Sequence, residues 1–327
     1  MEPEVKARGY WELVWIRFKR DKLAIASLGF IVFLFIAAWG LAPLFASILG
    51  HGPNTLFPYG GVDKNLIPVG LWSHVSLAPY PGASGHFGTT LLPLGGDSQL
   101  GRDLFLRLLY GAQTSLEVAL LATFGSVALG LVMGLLAGYF RGWVDTIISR
   151  LIEMVMVFPF LLFIIALRVV AGQQLNAITF GGLLAHGVFT LAFIFTLFGW
   201  FYPARIIRGV VLSLREKEFV EAARMTGASD IRIMRSHLLP HLVAPLIVYS
   251  SLIVAQNIIA EAGLSFLGLG IDPSTASWGN LLSYAPQFYT EDPLLMVWPG
   301  LAILLTTLAF NLLGDGLRDA FDPRARI

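Results

Sequence analysis

The sequence predicts an all-α integral membrane protein with six transmembrane helices, and three observations carry that prediction. Of 327 residues, 56% are hydrophobic and only 13% charged, against about 25% charged in an ordinary soluble domain. Several charge-free runs reach the roughly 20 apolar residues a helix needs to cross the bilayer hydrocarbon. Lys and Arg gather in alternate connections between these runs, the asymmetry that sets orientation in a membrane.

The elements follow in order. Residues 1–22 form an N-terminal segment in which Tyr10, Trp11, Leu13, Trp15, Ile16 and Phe18 alternate with basic residues. That pattern fits a helix lying at the membrane interface, or equally a cytoplasmic extension of the first span. Residues 23–49 are the first span. Its apolar run far exceeds the 7 to 15 residues of a signal-peptide core, so it is read as retained. Residues 50–112, rich in Gly and Pro, form an extracytoplasmic loop. A five-helix core over 113–315 holds spans at 114–140, 151–172, 183–201, 242–261 and 294–314, and 316–327 form a cytoplasmic tail.

Sidedness comes from counting basic residues. Eighteen of the 22 Lys and Arg lie before the first span, in the second-to-third and fourth-to-fifth connections, and in the tail; the other four are Lys64, Arg102, Arg107 and Arg168. The richer side is cytoplasmic, which places both termini there and predicts a multi-pass protein of the cell membrane. The second external loop, 262–293, carries an apolar stretch, Ser265 to Gly270, suited to re-entering the membrane edge.

Ionisable and helix-bending residues inside spans carry their own expectations. Glu117, Glu153 and Glu261 lie near span ends, where pairing or snorkelling is the economical expectation. Arg168, near the outer end of the third span, is a weak candidate for facing a substrate pathway. Pro159, Pro203, Pro245 and Pro299 predict bends. Gly125, Gly130, Gly134 and Gly138 include two overlapping Gly-xxx-Gly spacings that let helices approach closely, within this chain or against another. No span carries the acidic and histidine relay of a proton-driven carrier.

Between the fourth and fifth spans the chain turns polar. Phe219, Val220, Ala222, Ala223 and Met225 form an apolar strip, Gly227 suits a helix end with positive φ, and Ser229 stands where an N-cap would start a second short helix, Asp230 to Ser236. Two short helices joined by a bend make a compact protrusion, suited to docking a soluble partner.

Glu221-Ala222-Ala223, three residues, Gly227 and then Leu239-Pro240 resemble the signature loop of bacterial ABC importer permeases. Arg17 to Ala24, Leu100 to Ala112, Gly138 to Asp145, Ala260 to Gly270, Ser277 to Asn280 and Asn311 to Pro323 are similar to one branch, the second permease of the dipeptide, oligopeptide and nickel importers. His237-Leu238-Leu239-Pro240 departs by one conservative change from the His-Ile-Leu-Pro common in that branch. The resemblance implies a type I permease fold with a coupling loop at 203–240, in which Glu221, Ala222, Ala223, Arg224, Gly227, Ala228 and Asp230 contact an ATPase. It further implies a sister permease, two cytoplasmic ATP-binding subunits and an extracytoplasmic binding protein as partners. The cargo is a peptide, with nickel or an oligosaccharide as alternatives.

The exclusions are equally direct. No Gly-x4-Gly-Lys-Ser/Thr loop is present, so ATP hydrolysis belongs to other subunits. No basic, aromatic-rich patch points to nucleic acid. His237 and His241 are four apart but Pro240 lies between them and no acidic ligand motif accompanies them, so neither metal nor cofactor is expected. Asp97 and Asp103, with Arg102 and Arg107, admit a paired-carboxylate hydrolase on paper and read better as structural. The rival function is a channel or secondary carrier without ATP coupling.

Overall fold

The computed structural model describes residues 9–57, 60–77, 88–176 and 187–322, with side chains throughout except at 168, 169 and 171–176. Helix α1 (Tyr10–Arg20) is followed by α2 (Lys22–Phe35), a π-helical segment at Ile36–Leu41 and α3 (Ala42–Leu49). A hairpin of β1 (Ser73–Ser76) and β2 (Thr89–Leu92) leads to α4 (Leu104–Phe140), α5 (Gly142–Val157), α6 (Phe160–Asn176), α7 (Val188–Gly199) and α8 (Phe201–Leu214). The chain continues through α9 (Glu218–Met225), α10 (Asp230–Arg232), a second π segment at Ile233–Leu238, α11 (Leu239–Phe266), α12 (Trp278–Phe288) and α13 (Leu294–Phe321).

Among the described residues, four helical stretches are long and apolar enough to cross a membrane: Lys22–Leu49, Leu104–Phe140, Asp230–Phe266 and Leu294–Phe321. Two bent pairs bring the number to six when each counts as one span: α5 with α6, bent by 77°, and α7 with α8, bent by 41°. The protein is a multi-pass membrane protein of all-α type, decorated by one small hairpin.

Proline placement explains how the backbone runs. Pro159 occupies the break between α5 and α6, and Pro203 opens α8 just past the second bend. Both π segments instead lie immediately ahead of a proline near the start of the next helix, Pro43 in one case and Pro240 in the other. In each, an N–H reaches five residues back, Ala42 to the carbonyl of Ala37 and Leu239 to that of Met234. A helix loses a bond at proline because the ring has no N–H and crowds the preceding turn; the wider register takes up that conflict. Pro240 therefore does not break the helix, and Asp230–Phe266 is one continuous helix of 37 residues.

Helix α4 is the axis of the bundle. One core joins it to α2, α11 and α13 through Leu34, Leu116, Ala119, Ile258, Trp278 and Phe310, and another joins it to α6 and α7 through Val118, Ala122, Ile164, Leu191 and Phe195. Its glycines from Gly125 to Gly138 face α7 and α8 of the same chain. A Cβ at Gly130 would lie 2.6 Å from Cγ of Pro203, at Gly134 2.5 Å from the carbonyl oxygen of Ala204, and at Gly138 2.8 Å from Cβ of Val211, while Gly125 abuts Thr196. The small-residue spacing thus serves packing within the chain.

Element boundaries depart from the hydropathy reading in several places. Helix α4 starts at Leu104 rather than Thr114, because Asp103 caps it, accepting from the N–H groups of Phe105 and Leu106 at 2.8 and 3.2 Å. Arg107, which reads as a polar stop, is fully buried there against Asp97 at 2.8 Å. The fourth span continues past Phe201 through α8, so the loop assigned to 203–240 shortens to about 215–229. The final helix runs to Phe321, taking in the first residues of the supposed tail; of the fourth span, 183–186 lie outside the described residues. Finally, α12 fills part of what was read as external loop, its Trp278 buried with Nε1 donating to the carbonyl of Leu108 at 3.1 Å.

The two ends of the bundle differ in chemistry. At one end, α1 packs Val14 and Phe18 against Ala24 and Ala320 while Tyr10, Trp11 and Trp15 stay exposed. Asp21 separates α1 from α2 and caps the latter, so α1 is a distinct amphipathic helix rather than an extension of the first span. At the other end, Asp97 sits between Arg102 and Arg107, and His51 meets Asp103 at 2.9 Å, all buried. Burial opposes the charge on Arg102, but Asp97 outweighs it and holds the guanidinium above its usual range. These five residues pair in two buried groups, Asp97 with both arginines and His51 with Asp103, that act as a structural knot. Glu261, also fully buried, accepts from Ser115 and Ser265 at 2.8 and 2.7 Å, so it is paired inside the bundle rather than snorkelling; Glu153 is exposed and pairs with Arg150 at 2.7 Å.

Replacing Gly134 by Val forces a branched side chain into the carbonyl of Ala204 and Cβ of Ile207. Overpacking of this kind costs about 1–3 kcal/mol, so the Tm of the purified protein in detergent drops by several degrees. Gly300→Ala in α13, whose new methyl meets nothing within 4 Å, leaves Tm unchanged or slightly raised. Equal Tm values for Gly134→Val and the native chain would remove the close α4–α8 contact from the account.

Candidate docking surface

Between α8 and α11 the chain folds into a knuckle whose inner side is core and whose outer side is bare. Val220 and Ala223 of α9 are buried on Ile207, Val211, Ile233, Leu238, Leu242 and Tyr139. The opposite side shows Ala222, Phe219, Met225 and Ile231, the last two 83% and 74% exposed, among the exposed charges Glu218, Glu221 and Arg224. Three and four residue spacings on α9 divide the two sides. An apolar cluster of this sort rimmed by charge marks an interaction site, and methionine adapts readily to a partner's shape.

The bend rests on Gly227. At φ +79° it occupies the left-handed region, with its N–H donating to the carbonyl of Arg224 at 2.9 Å and that of Ala228 to the carbonyl of Ala223 at 3.0 Å. This paired pattern is a Schellman closure, which satisfies carbonyls at a helix end and favours glycine at the left-handed residue. Ser229 then takes the extended N-cap conformation at φ −68°, ψ 154°, but its hydroxyl makes no capping bond. The chain enters the long helix at Asp230 directly, so the short second helix expected over Asp230 to Ser236 is the first part of the rod that contains α11.

The knuckle is fastened by residues that local spacing did not single out. Tyr139, the penultimate residue of α4, donates its hydroxyl to Asp230 at 2.5 Å while Arg224 lies over its ring at 5.5 Å. Arg215 donates to the carbonyl of Tyr139, and Arg141 to the carboxylate of Glu216. Arg208 of α8 grips Asp145 of α5 through two bonds at 2.5 and 2.7 Å. Bonding to Arg141 holds Glu216 below the usual carboxylate range. Partial burial, then repulsion from Arg141 and Arg224, pulls Arg215 down. Only the stretch Gly138 to Asp145, noted for its resemblance, pointed toward this support.

The structure shows where the expected contact residues lie. Glu221, Ala222, Arg224, Gly227 and Asp230 are exposed on one protrusion, Ala228 is half-buried at the bend, and Ala223 is the exception, turned inward as packing. Arg168 lies on α6, with its side chain outside the described residues.

Comparison with known proteins gives a consistent result. Residues 130–327 match the model of the binding-protein-dependent transport system inner membrane component, and residues 9–65 that of the N-terminal TM domain of oligopeptide transport permease C. The chain is 34% identical over 325 residues to the dipeptide transport system permease protein DppC of Alkalihalophilus pseudofirmus, covering 99% of this chain and 93% of that protein. It is 35% identical over 323 residues to the glutathione transport system permease protein GsiD of Escherichia coli, covering 98% and 93%. A solved inward-facing structure of the MetNI methionine ABC transporter aligns with a TM-score of 0.52 at 17% identity, covering 66% of this chain and 96% of that one, a likeness of fold.

Tyr139→Phe removes one hydroxyl bond to a carboxylate, an interaction of about 1.5–3 kcal/mol when charge-assisted. Amide exchange around Ser229 to Ile233 should accelerate by about tenfold with little change in Tm. Unchanged protection there would mean that Tyr139 does not fasten the knuckle.

Proposed function

This chain belongs to the family of binding-protein-dependent transport system inner membrane components, and from that premise we propose how it works as the permease of an ATP-driven peptide importer. It supplies half of the translocation pathway and pairs with a sister permease, and the pair is driven by two ATP-binding subunits, one of which seats on the α9 knuckle of this chain. An extracytoplasmic binding protein delivers cargo at the end that carries the hairpin and α12. The basic termini and the knuckle face the cytoplasm, in keeping with their Lys and Arg content. Relatives named for dipeptide and glutathione transport favour a short peptide as cargo. Hydrolysis belongs to the partner subunits, and this chain moves rather than reacts.

The observation that carries the reading is the exposed knuckle joined without a break to a membrane-spanning helix. Ala222 lets a partner backbone approach closely, Phe219, Met225 and Ile231 offer apolar contact, and Glu221 and Arg224 supply charges at the rim. Displacement of α9 passes through the Gly227 closure into α11, and through Tyr139 into α4. A rigid-body rotation of that pair changes which end of the pathway is open.

Gly227→Val places a β-branched residue at positive φ, which costs on the order of 1–2 kcal/mol, although no neighbour lies within 4 Å to clash. In proteoliposomes holding the complete transporter, dipeptide uptake falls at least tenfold while the chain still inserts and ATP is still hydrolysed. Gly227→Asn, which tolerates the left-handed region, retains most uptake. Native uptake by the Val variant would refute the coupling role.

A further inference from the structure

Helix α11 leaves one face uncovered by the rest of the chain. Tyr249, Leu252, Gln256, Ile259 and Gly263 recur every three or four residues along it, and Gln256, Ile259 and Gly263 are exposed. Gln256 is the polar residue of that stripe. Ten residues separate it from Phe266 at the helix end, about 15 Å at the α-helical rise, so it stands near the middle of a hydrocarbon layer roughly 30 Å thick.

Its neighbour Asn257 is engaged, donating to Thr123 Oγ1 at 3.0 Å and to the carbonyl of Ala119 at 3.5 Å. Gln256 has no hydrogen-bond partner among the described residues. A primary amide at that depth facing lipid would leave two donors and an acceptor unsatisfied, which a bilayer strongly disfavours. The side chain therefore needs water, a polar ligand or a polar group of the sister permease beside it.

The surroundings specify which. Gln256 borders a cleft formed by α5, α6, α7 and α11, walled by Phe158, Phe160, Phe198 and Phe201. That cleft lies at both bends of the bundle, beside the break at Phe158-Pro159 and beside the turn from α7 into α8. Two backbone bends thus lie beside this amide. Among the described residues no ionised group lines it, so it suits a neutral stretch of ligand. A backbone peptide group presents one N–H and one C=O, and a glutamine amide can pair with both.

We propose that Gln256 lines the translocation pathway and hydrogen-bonds the backbone amide of a passing peptide, with the phenylalanine walls receiving its side chains. The ligand class rests on the peptide-importer reading; the exposure of Gln256 to an aqueous path does not.

The chain has no cysteine, so Gln256→Cys is a unique thiol on it. In the assembled transporter, a charged methanethiosulfonate reagent is applied with and without a saturating dipeptide and binding protein, and modification is read from the mass of this chain. Phe124→Cys on the outer face of α4, where the native ring is 75% exposed, is the lipid-facing reference. The expected result is modification of Gln256→Cys at least tenfold faster than of Phe124→Cys, a fivefold or greater slowing by dipeptide, and loss of uptake after modification. Modification as slow as at Phe124→Cys overturns the pathway assignment. Fast modification that dipeptide does not slow, in a transporter whose native form takes up dipeptide, overturns the contact with cargo alone. A native transporter that takes up no dipeptide brings down the peptide reading instead, while the labelling rate still decides whether Gln256 faces an aqueous path.

Discussion

The coupling proposed above depends on one constraint: the exposed knuckle at α9 must be mechanically continuous with a helix long and apolar enough to lie in lipid. Here that continuity is backbone. The turn closed by the N–H groups of Gly227 and Ala228 sits three residues from Asp230, where a 37-residue helix begins. At about 1.5 Å per residue that helix spans some 55 Å, enough to carry a displacement from the partner's side through the bilayer. Had the helix broken at Pro240, the force would have been lost in a loop. The π segment ahead of that proline keeps the rod intact.

Continuity alone would let the knuckle swing, and the remaining contacts stop it. Val220 and Ala223 pack into the same apolar cluster as Ile233 and Leu238, so the short helix and the rod share a core. Tyr139 ties both to the end of α4, and α4 is in turn held against α8 by the close approach of backbone at Gly130, Gly134 and Gly138. The opposite end is closed differently. Buried pairs around Asp97 and Asp103, and the carboxylate of Glu261 among serines, fix α12 and the hairpin to the outer turns of α4. Such pairs are weak evidence for stability, since desolvation offsets much of their attraction, but they do define geometry where apolar packing is thin.

The sequence was informative wherever one residue settles a local conformation or one run settles a span. Leu23 to Leu49 reads as a helix because nothing polar interrupts it, and the structure agrees to within a residue. Gly227 reads as a helix terminus because its backbone can be left-handed, and it is. Hydropathy failed where polarity is satisfied inside the protein: Arg107 looks like a boundary but is buried on Asp97, so α4 extends ten residues further outward than its apolar run. Helix α12 escaped notice because it is short and amphipathic, with Ser277 as cap. The clamp made by Tyr139, Arg141, Arg208, Arg215, Asp145 and Glu216 joins positions 63 to 91 residues apart. No local pattern announces contacts of that range, and they become visible only once the helices are placed.

The central claim is that the knuckle and α11 move as one body. Spin labels on cysteines at Met225 and Ile259, both exposed, report the length of that body by pulsed electron resonance in the assembled transporter, and a second pair at Met225 and Leu23 reports its motion against the first span. Between nucleotide-free and ATP-bound states, the Met225–Ile259 distance stays constant while the Met225–Leu23 distance shifts by several ångströms. A Met225–Ile259 distance that changes as much as the other would contradict the account.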